Sequence, residues 1–371
     1  MDGQSRRRLP LLGLLLVLAV AACDRTPPDP AANDSSHALV VDSLFSLDVL
    51  AVHEVPGSGP RVAMNPGGDR FVYAPSTSPQ ALHLFDSTGA WVEGFGGRGE
   101  GPGEFRQIDD LAFGAGDSLW VFTPSHVDIW SPELAHARSV PLPFPVRKAR
   151  RAPSGDMFIV GMDRTPGAEP SLVHRLQPDG QISPIAPETS PLDPAEPINL
   201  EGSLTPAPDG SLWIAGFQDY DIRHVTPGGD LASRIDAAPT WWGVSDEVEP
   251  DTQEWMATHS ALLDLTLDEG SNLWVVAGIP KPENLDPIRD AGLDPNEMNR
   301  AMIDHFRSAA DHVIRVYGAD QELLVEEHFD YMPLRFLGGN LAYTVEPDSL
   351  VGWGVVVRRI EVTSDAGAPD G

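Results

Sequence analysis

A single cysteine, Cys23, stands in 371 residues, so neither a disulfide framework nor a cysteine-cluster zinc site is open to this chain. Lysine is almost as scarce, with only Lys148 and Lys281. Basic residues number 25 against 55 acidic ones, a formal net charge of -30. Counterion-release binding of nucleic acid needs a basic face, so that class is excluded. The longest apolar run, Leu9 to Val20, is too short to span a ~30 Å hydrocarbon core comfortably. Catalytic signatures are missing as well: there is no GxSxG elbow, no HExxH pair and no Walker loop. GRGEGPG (97–103) is rich in glycine but does not join a strand to a helix, which removes a phosphate-loop reading. What is present is 41% hydrophobic residues with 35 Gly and 36 Pro, the make-up of a turn-rich globular chain rather than a disordered one. The length suits two or three ordinary domains or one large all-β domain.

Residues 1–22 read as a targeting segment, with Arg6, Arg7 and Arg8 ahead of the apolar run. The run ends in Val20-Ala21-Ala22-Cys23, which resembles the lipobox of bacterial lipoproteins. That resemblance implies diacylation of Cys23, which becomes the mature N-terminus. Two acyl chains give stable anchoring where one is marginal. Ser5-Arg6-Arg7-Arg8-Leu9 is similar to part of a twin-arginine signal, and Asp24 resembles the inner-membrane retention signal of enteric bacteria. The resemblance therefore implies a cell-envelope protein held to a membrane by lipid, facing the periplasm or the exterior. Residues 23–42, rich in Pro, Asp and Ser, read as a flexible tether. The acidic, lysine-poor remainder favours solubility and repels anionic surfaces.

An internal repeat decides the fold. A Gly-polar turn followed by a short aromatic or β-branched strand recurs at Gly68, Gly116, Gly155, Gly210, Gly270 and Gly339. A hairpin of two alternating strands follows each of the first five copies, as in LVHRLQPDGQISPI and DIRHVTPGGDLASRI. A further strand precedes each Gly, as in DDLAFGAG. Each unit thus holds four strands, A to D, and six units predict an all-β, six-bladed β-propeller of four-stranded antiparallel blades over 43–363. The sixth unit lacks its fourth strand, and residues 364–371 read as a disordered tail. Ser46 to Val55 (SLDVLAVHEV) has no blade of its own and is expected to complete the last one, closing the ring and removing its exposed edges.

The stretch GFGGRGEGPGEFRQIDDLAF (94–113) resembles the linker and first strand of NHL-type repeats. It is particularly similar to the six-bladed propeller lipoproteins of Gram-negative bacteria. The resemblance implies an extracytoplasmic propeller and supplies no catalytic residues.

The candidate site residues come from what the repeat leaves over. The long segments 96–107, 163–170, 184–202, 237–260 and 279–311 are all D–A linkers or B–C loops, which emerge at one end of the ring. The turns at the other end take roughly two to four residues. Loops on a rigid scaffold carry function, so the loop-rich face is the expected binding surface for a protein, peptide or glycan. Trp241, Trp242 and Trp255 lie outside the blade template and are its candidate anchors. Trp120, Trp213 and Trp274 share one blade position and are expected to pack between blades. Within 279–311, Asp294-Pro295-Asn296-Glu297 and the spacing of Met298, Met302, Ile303 and Phe306 predict a short helix over 295–309. Aligning blades on the repeat Gly places Val62, Met64, Asp110, Arg151, Asp264 and Thr266 toward the axis. There Arg151 is a candidate anion clamp. Asp110 and Asp264 are candidate ligands for a hard cation such as calcium, the arrangement of six-bladed lactonases. Two functions follow: a lipid-anchored binding module, or a calcium-dependent, lactonase-like hydrolase in the channel.

Overall fold

The structure, a computed structural model, describes residues 37–49, 60–75, 82–162, 171–185, 202–216, 220–242, 259–279, 281, 311–329, 334–348 and 352–364. Within the unit formed by Ser35–Gly371, six four-stranded antiparallel sheets make a six-bladed β-propeller. The first strand of the chain is β1 (His37–Ser46). The first blade is then β2 (Arg61–Met64), β3 (Arg70–Ala74), β4 (Leu82–Asp86) and β5 (Trp91–Phe95). A two-stranded parallel clip, β6 (Gly97–Arg98) and β7 (Glu104–Phe105), leads to the second blade. That blade comprises β8 (Asp110–Phe113), β9 (Leu119–Phe122), β10 (His126–Trp130) and β11 (His136–Pro141). The third holds β12 (Lys148–Arg151), β13 (Met157–Val160), β14 (Val173–Leu176) and β15 (Ile182–Pro184). The fourth holds β16 (Ser203–Pro206), β17 (Leu212–Ala215), β18 (Ile222–Val225) and β19 (Leu231–Ile235). The fifth holds β20 (Ala261–Leu267), β21 (Leu273–Ile279), β22 (Asp311–Tyr317) and β23 (Leu323–Phe329). The sixth holds β24 (Leu334–Gly338), β25 (Leu341–Asp348) and β26 (Gly352–Ser364), with β1 as its outermost strand.

The inner strands β2, β8, β12, β16, β20 and β24 touch in that order, and β24 returns to β2, so the ring is closed. Each blade interface has its own apolar core. Between the first and second blades, for example, Val72, Leu82 and Leu84 meet Leu111, Phe113 and Val121. Trp120, Trp213 and Trp274 are all buried in such interfaces, as their shared position predicts. The predicted 295–309 helix lies outside the described residues.

The closing strand differs from the sequence expectation. It is His37–Ser46, not Ser46–Val55, and its antiparallel register runs from His37↔Ser364 to Ser46↔Val356 with a bulge between Ser43 and Phe45. Strand β1 therefore uses residues 37–42, assigned above to the tether. Leu39 and Val41 point into the core between the fifth and sixth blades, while Val40 and Leu44 face solvent. Leu47 and Val49 follow as an irregular segment that fills the core between the sixth and first blades. Both segments are rich in apolar residues, and the long β26 partner pairs with the earlier one.

The glycine-rich linker between the first two blades folds into the β6–β7 clip. Gly103 has φ +73, and a Cβ there would stand 3.0 Å from the Trp130 ring, so glycine is required twice over. Glu104 ties the loop by accepting from the Gly101 N–H at 3.0 Å, and Phe105 is buried against Trp130.

Candidate functional site

All inner strands start at the end of the ring where the D–A and B–C connections emerge. The described A–B and C–D turns, at the other end, have at most five residues. Most of these turns have five residues, slightly more than the two to four expected, and the long connections lie at the opposite end.

At the loop-rich end the inner strands bring charged residues together on the axis. Strand pairing fixes which positions are equivalent. Counted back from the residue opposite the shared tryptophan position, in the first five blades they are Arg61, Asp110, Lys148, Ser203 and Asp264. Asp264 is fully buried and gathers donors from four blades. Its Oδ1 accepts from Lys148 Nζ at 2.7 Å, Arg150 Nη2 at 3.0 Å, Ser203 Oγ at 3.1 Å and the Leu265 N–H at 3.0 Å. Its Oδ2 accepts from Arg150 at 3.2 Å and the Phe336 N–H at 3.0 Å. Burial alone would raise the Asp264 carboxyl, but the charges of Lys148, Arg150 and Arg335 outweigh it and hold the group well below the usual carboxylate range. Lys148 is affected in the opposite sense. Desolvation pushes its ammonium down to about 8 against the pull of Asp264, and the charges of Arg150 and Arg335 push the same way.

Asp110 stands in the same layer but makes a different contact, accepting from the Ala149 N–H at 2.7 Å. The lone pairs of Asp264 are thus directed at cations and N–H groups of the protein itself. Among the described residues no group of three His, Cys, Asp or Glu side chains is arranged to hold a metal ion.

Arg151 lies on the opposite face of β12 from Lys148 and Arg150, beside the buried Ala149, with its Nε buried and lacking a hydrogen-bond partner among the described residues. The Gly-based alignment misplaced it for a specific reason. In the first, third and fourth blades the left-handed turn residue is the repeat glycine itself: Gly68, Gly155 or Gly210. In the fifth blade it is the next residue, Ser271 (φ 62), and in the second both Gly116 (φ 62) and the next residue, Asp117 (φ 58), are left-handed. A shift of one residue moves every side chain to the other face. Asp110 and Asp264 therefore align with Arg61 and Lys148 rather than with Val62 and Arg151.

A second constellation lies at the loop-rich end of the junction between the fourth and fifth blades. Trp241 and Trp242 are half-buried against its core, 5.8 Å apart between ring centroids. Trp241 donates its indole N–H to Glu326 at 3.0 Å and meets the exposed His328 edge-on. Trp242 packs edge-on against Tyr220. Beneath them Arg315 donates to Tyr220 Oη at 2.7 Å and pairs with Glu326 at 2.9 Å, and Tyr220 and Tyr317 share a hydrogen bond. Burial opposes ionisation of Glu326, but hydrogen bonds from His328 and Trp241 and the charge of Arg315 hold it below its ordinary range. The two indoles thus sit on a polar network that fixes their orientation. Trp255 and Cys23 lie outside the described residues.

At the short-turn end of the same junction is a cleft of about 300 Å³, lined among others by Ser211, Trp213, His224 and Gln321. Trp213 stacks on His224 at 4.5 Å and 9°, and His224 Nε2 is 2.7 Å from Ser211 Oγ.

No protein-family model and no curated protein matches the chain. Among solved structures it is similar to a member of the DUF4221 family from Bacteroides vulgatus, with 13% identity and a TM-score of 0.59 over 88% of this chain and 99% of that one. It is also similar to a Bacteroides fragilis protein described as exported, with 11% identity and a TM-score of 0.51 over 89% and 96%. Virginiamycin B lyase from Staphylococcus aureus aligns at 12% identity and a TM-score of 0.46 over 87% and 99%. At these identities the likeness is one of fold.

Proposed function

We propose that this protein is a lipid-anchored binding module of the bacterial envelope, which presents the loop-rich end of its propeller to a peptide or glycan. The observation that carries the reading is the Trp241–Trp242 pair. Two large aromatic faces are half-exposed, yet each is held by packing and by the Glu326–Arg315–Tyr220 network. Aromatic anchors of this kind contribute most where little side-chain freedom remains to be lost on binding. The envelope location rests on the lipobox-like Val20–Cys23 segment. It is supported by fold similarity to a protein described as exported.

The test is binding of the soluble core, residues 24–371, to peptide and glycan arrays, with hits remeasured in solution. Trp242→Ala should weaken a true ligand by more than ~10-fold, in line with the 2 kcal/mol or more typical of buried aromatic anchors. Ligands bound equally well by wild type and by a folded Trp241→Ala/Trp242→Ala variant would show that the site lies elsewhere. The calcium-dependent hydrolase reading finds no comparable support, because the carboxylate it depends on most, Asp264, is engaged by Lys148 and Arg150.

A further inference from the structure

The repeat does not account for the cleft at the short-turn end of the junction between the fourth and fifth blades. Its lining comes from the turns 207–211, 268–272 and 318–322 and from Trp213, His224, Leu267, Leu273 and Tyr317. Trp213 departs here from the arrangement of its counterparts. In the second blade Trp120 donates its indole N–H to Ser118 Oγ at 3.2 Å, and in the fifth Trp274 donates to Asp268 Oδ2 at 3.0 Å. Each acceptor belongs to the A–B turn of its own blade. Trp213 is only 8% exposed, yet its indole N–H meets no acceptor among the described residues. A ligand in the cleft can supply the acceptor that the turn does not.

The carboxylate of this turn, Asp209, is engaged on one side only. Its Oδ1 accepts from the Ser211 N–H at 2.9 Å and from Ser211 Oγ at 2.5 Å. With its hydroxyl proton directed at Asp209, the buried Ser211 takes its second bond from His224 Nε2–H at 2.7 Å. His224 in turn lies flat on Trp213. These contacts fix Trp213, His224, Ser211 and Asp209 before any ligand arrives. Burial holds the His224 imidazole below its ordinary range, so it is neutral near pH 7, while the Ser211 bonds keep the Asp209 carboxyl low. Asp209 is therefore the one ionised side chain that lines the cleft. The three lining turns also hold Asp268, Glu269, Asp320 and Glu322, and no Lys, Arg or His. Such a field draws cations and repels anions.

We propose that this cleft binds a lysyl side chain of a peptide, its ammonium pairing with Asp209 Oδ2 while a main-chain carbonyl beside it accepts from the Trp213 N–H. An ammonium is a compact point charge and suits the single carboxylate oxygen that Ser211 leaves, whereas a guanidinium fork is matched to two. The methylene stem of lysine suits the apolar walls supplied by Pro208, Leu267 and Leu273. A cleft of about 300 Å³ is at the small end for ligand sites, in keeping with one side chain and its adjoining amides. The inference is independent of the loop-rich end and of its tryptophan pair.

The experiment is calorimetric titration of the 24–371 protein with Nα-acetyl-lysine methylamide and, separately, with Nα-acetyl-norleucine methylamide, which has the stem and the amides but no charge. Wild type should bind the lysine compound saturably and the norleucine compound about 10-fold more weakly, the scale of a charge-assisted hydrogen bond. Asp209→Asn keeps an acceptor for Ser211 and removes only the charge, so it should abolish the preference for lysine. Trp213→Phe keeps an aromatic ring on His224 and removes the N–H, so it should weaken both compounds. Asp179→Asn, the same change in a turn of the third blade, should alter neither. Three results would overturn the proposal: no saturable heat with the lysine compound, equal binding of the two compounds by wild type, or a preference for lysine that survives in Asp209→Asn. An equal loss in Asp179→Asn would also overturn it, since the effect would then belong to the acidic surface and not to the cleft.

Discussion

Asp264 shows how one buried carboxylate can organise a whole ring. Burying an ion costs several kcal/mol, which is recovered here only because two cations, a hydroxyl and two backbone N–H groups converge on it. Asp264→Asn should therefore cost about 3–5 kcal/mol, because Lys148 and Arg150 keep their charges and lose their partner. Urea denaturation at neutral pH measures it. The sign with pH follows from the depressed carboxyl. The unfolded chain takes up a proton near pH 4 and the folded chain only well below that, so the contribution is complete above about pH 4 and is lost as the pH falls further. Lys148 behaves oppositely. Its folded value of about 8 lies below that of a free lysine, about 10.4. The unfolded state binds more protons between those values, so the lysine's unfavourable contribution is largest below pH 8 and fades toward pH 10. Only two lysines exist, so selective 13C labelling gives two Cε signals. The one lost in Lys148→Arg should titrate with a midpoint near 8, through contacts with Asp264, Ser203 and the Leu263 carbonyl and beside Arg150 and Arg335. A midpoint above 10 would mean that the ammonium is not desolvated as described.

At the scale of elements, β1 closes the ring and buries one face only. Leu39→Ala should destabilise by about 2 kcal/mol, the low end for a buried leucine, because it removes a side chain from the core between the fifth and sixth blades. Val40→Ala on the same strand should change stability by less than about 0.5 kcal/mol, since that side chain is exposed. Thermal or urea unfolding of the two variants gives the contrast, and equal effects would show that β1 is not seated as described. The four-strand period was legible in the sequence because each blade repeats the same turn and the same alternation. The closing strand was legible as a need, since the sixth blade plainly lacks a strand, but not in its position. His37–Ser46 and Ser46–Val55 are both rich in apolar residues, and the 13-residue partner β26 pairs with the first. The axial layer was half legible for a related reason. Asp110 and Asp264 share a turn in which the residue after the glycine is left-handed, so they aligned with each other. The same alignment put Arg151 where Lys148 and Arg150 are found. Pairing register, which the glycine does not report, would have been needed to find them.

At the scale of the molecule, six short inner strands, six interface cores and one N-terminal strand make a rigid ring whose two ends differ. One end carries short turns. The other carries the long connections, the oriented Trp241–Trp242 pair and the charged axial layer. This layer joins the blades through internal ion pairs at Asp264, the carboxylate on which a calcium centre of a lactonase-like hydrolase would depend. The most direct measurement is thermal unfolding of residues 24–371 in calcium and in chelator, for wild type and for Asp264→Asn. Wild type should give coincident curves in the two conditions, and Asp264→Asn a lower midpoint in both. A ligand bound only by the folded state, present at 100 times its dissociation constant, adds about 2.7 kcal/mol. A calcium-dependent rise of several degrees in wild type that is lost in Asp264→Asn would contradict the account and place a metal on the axis.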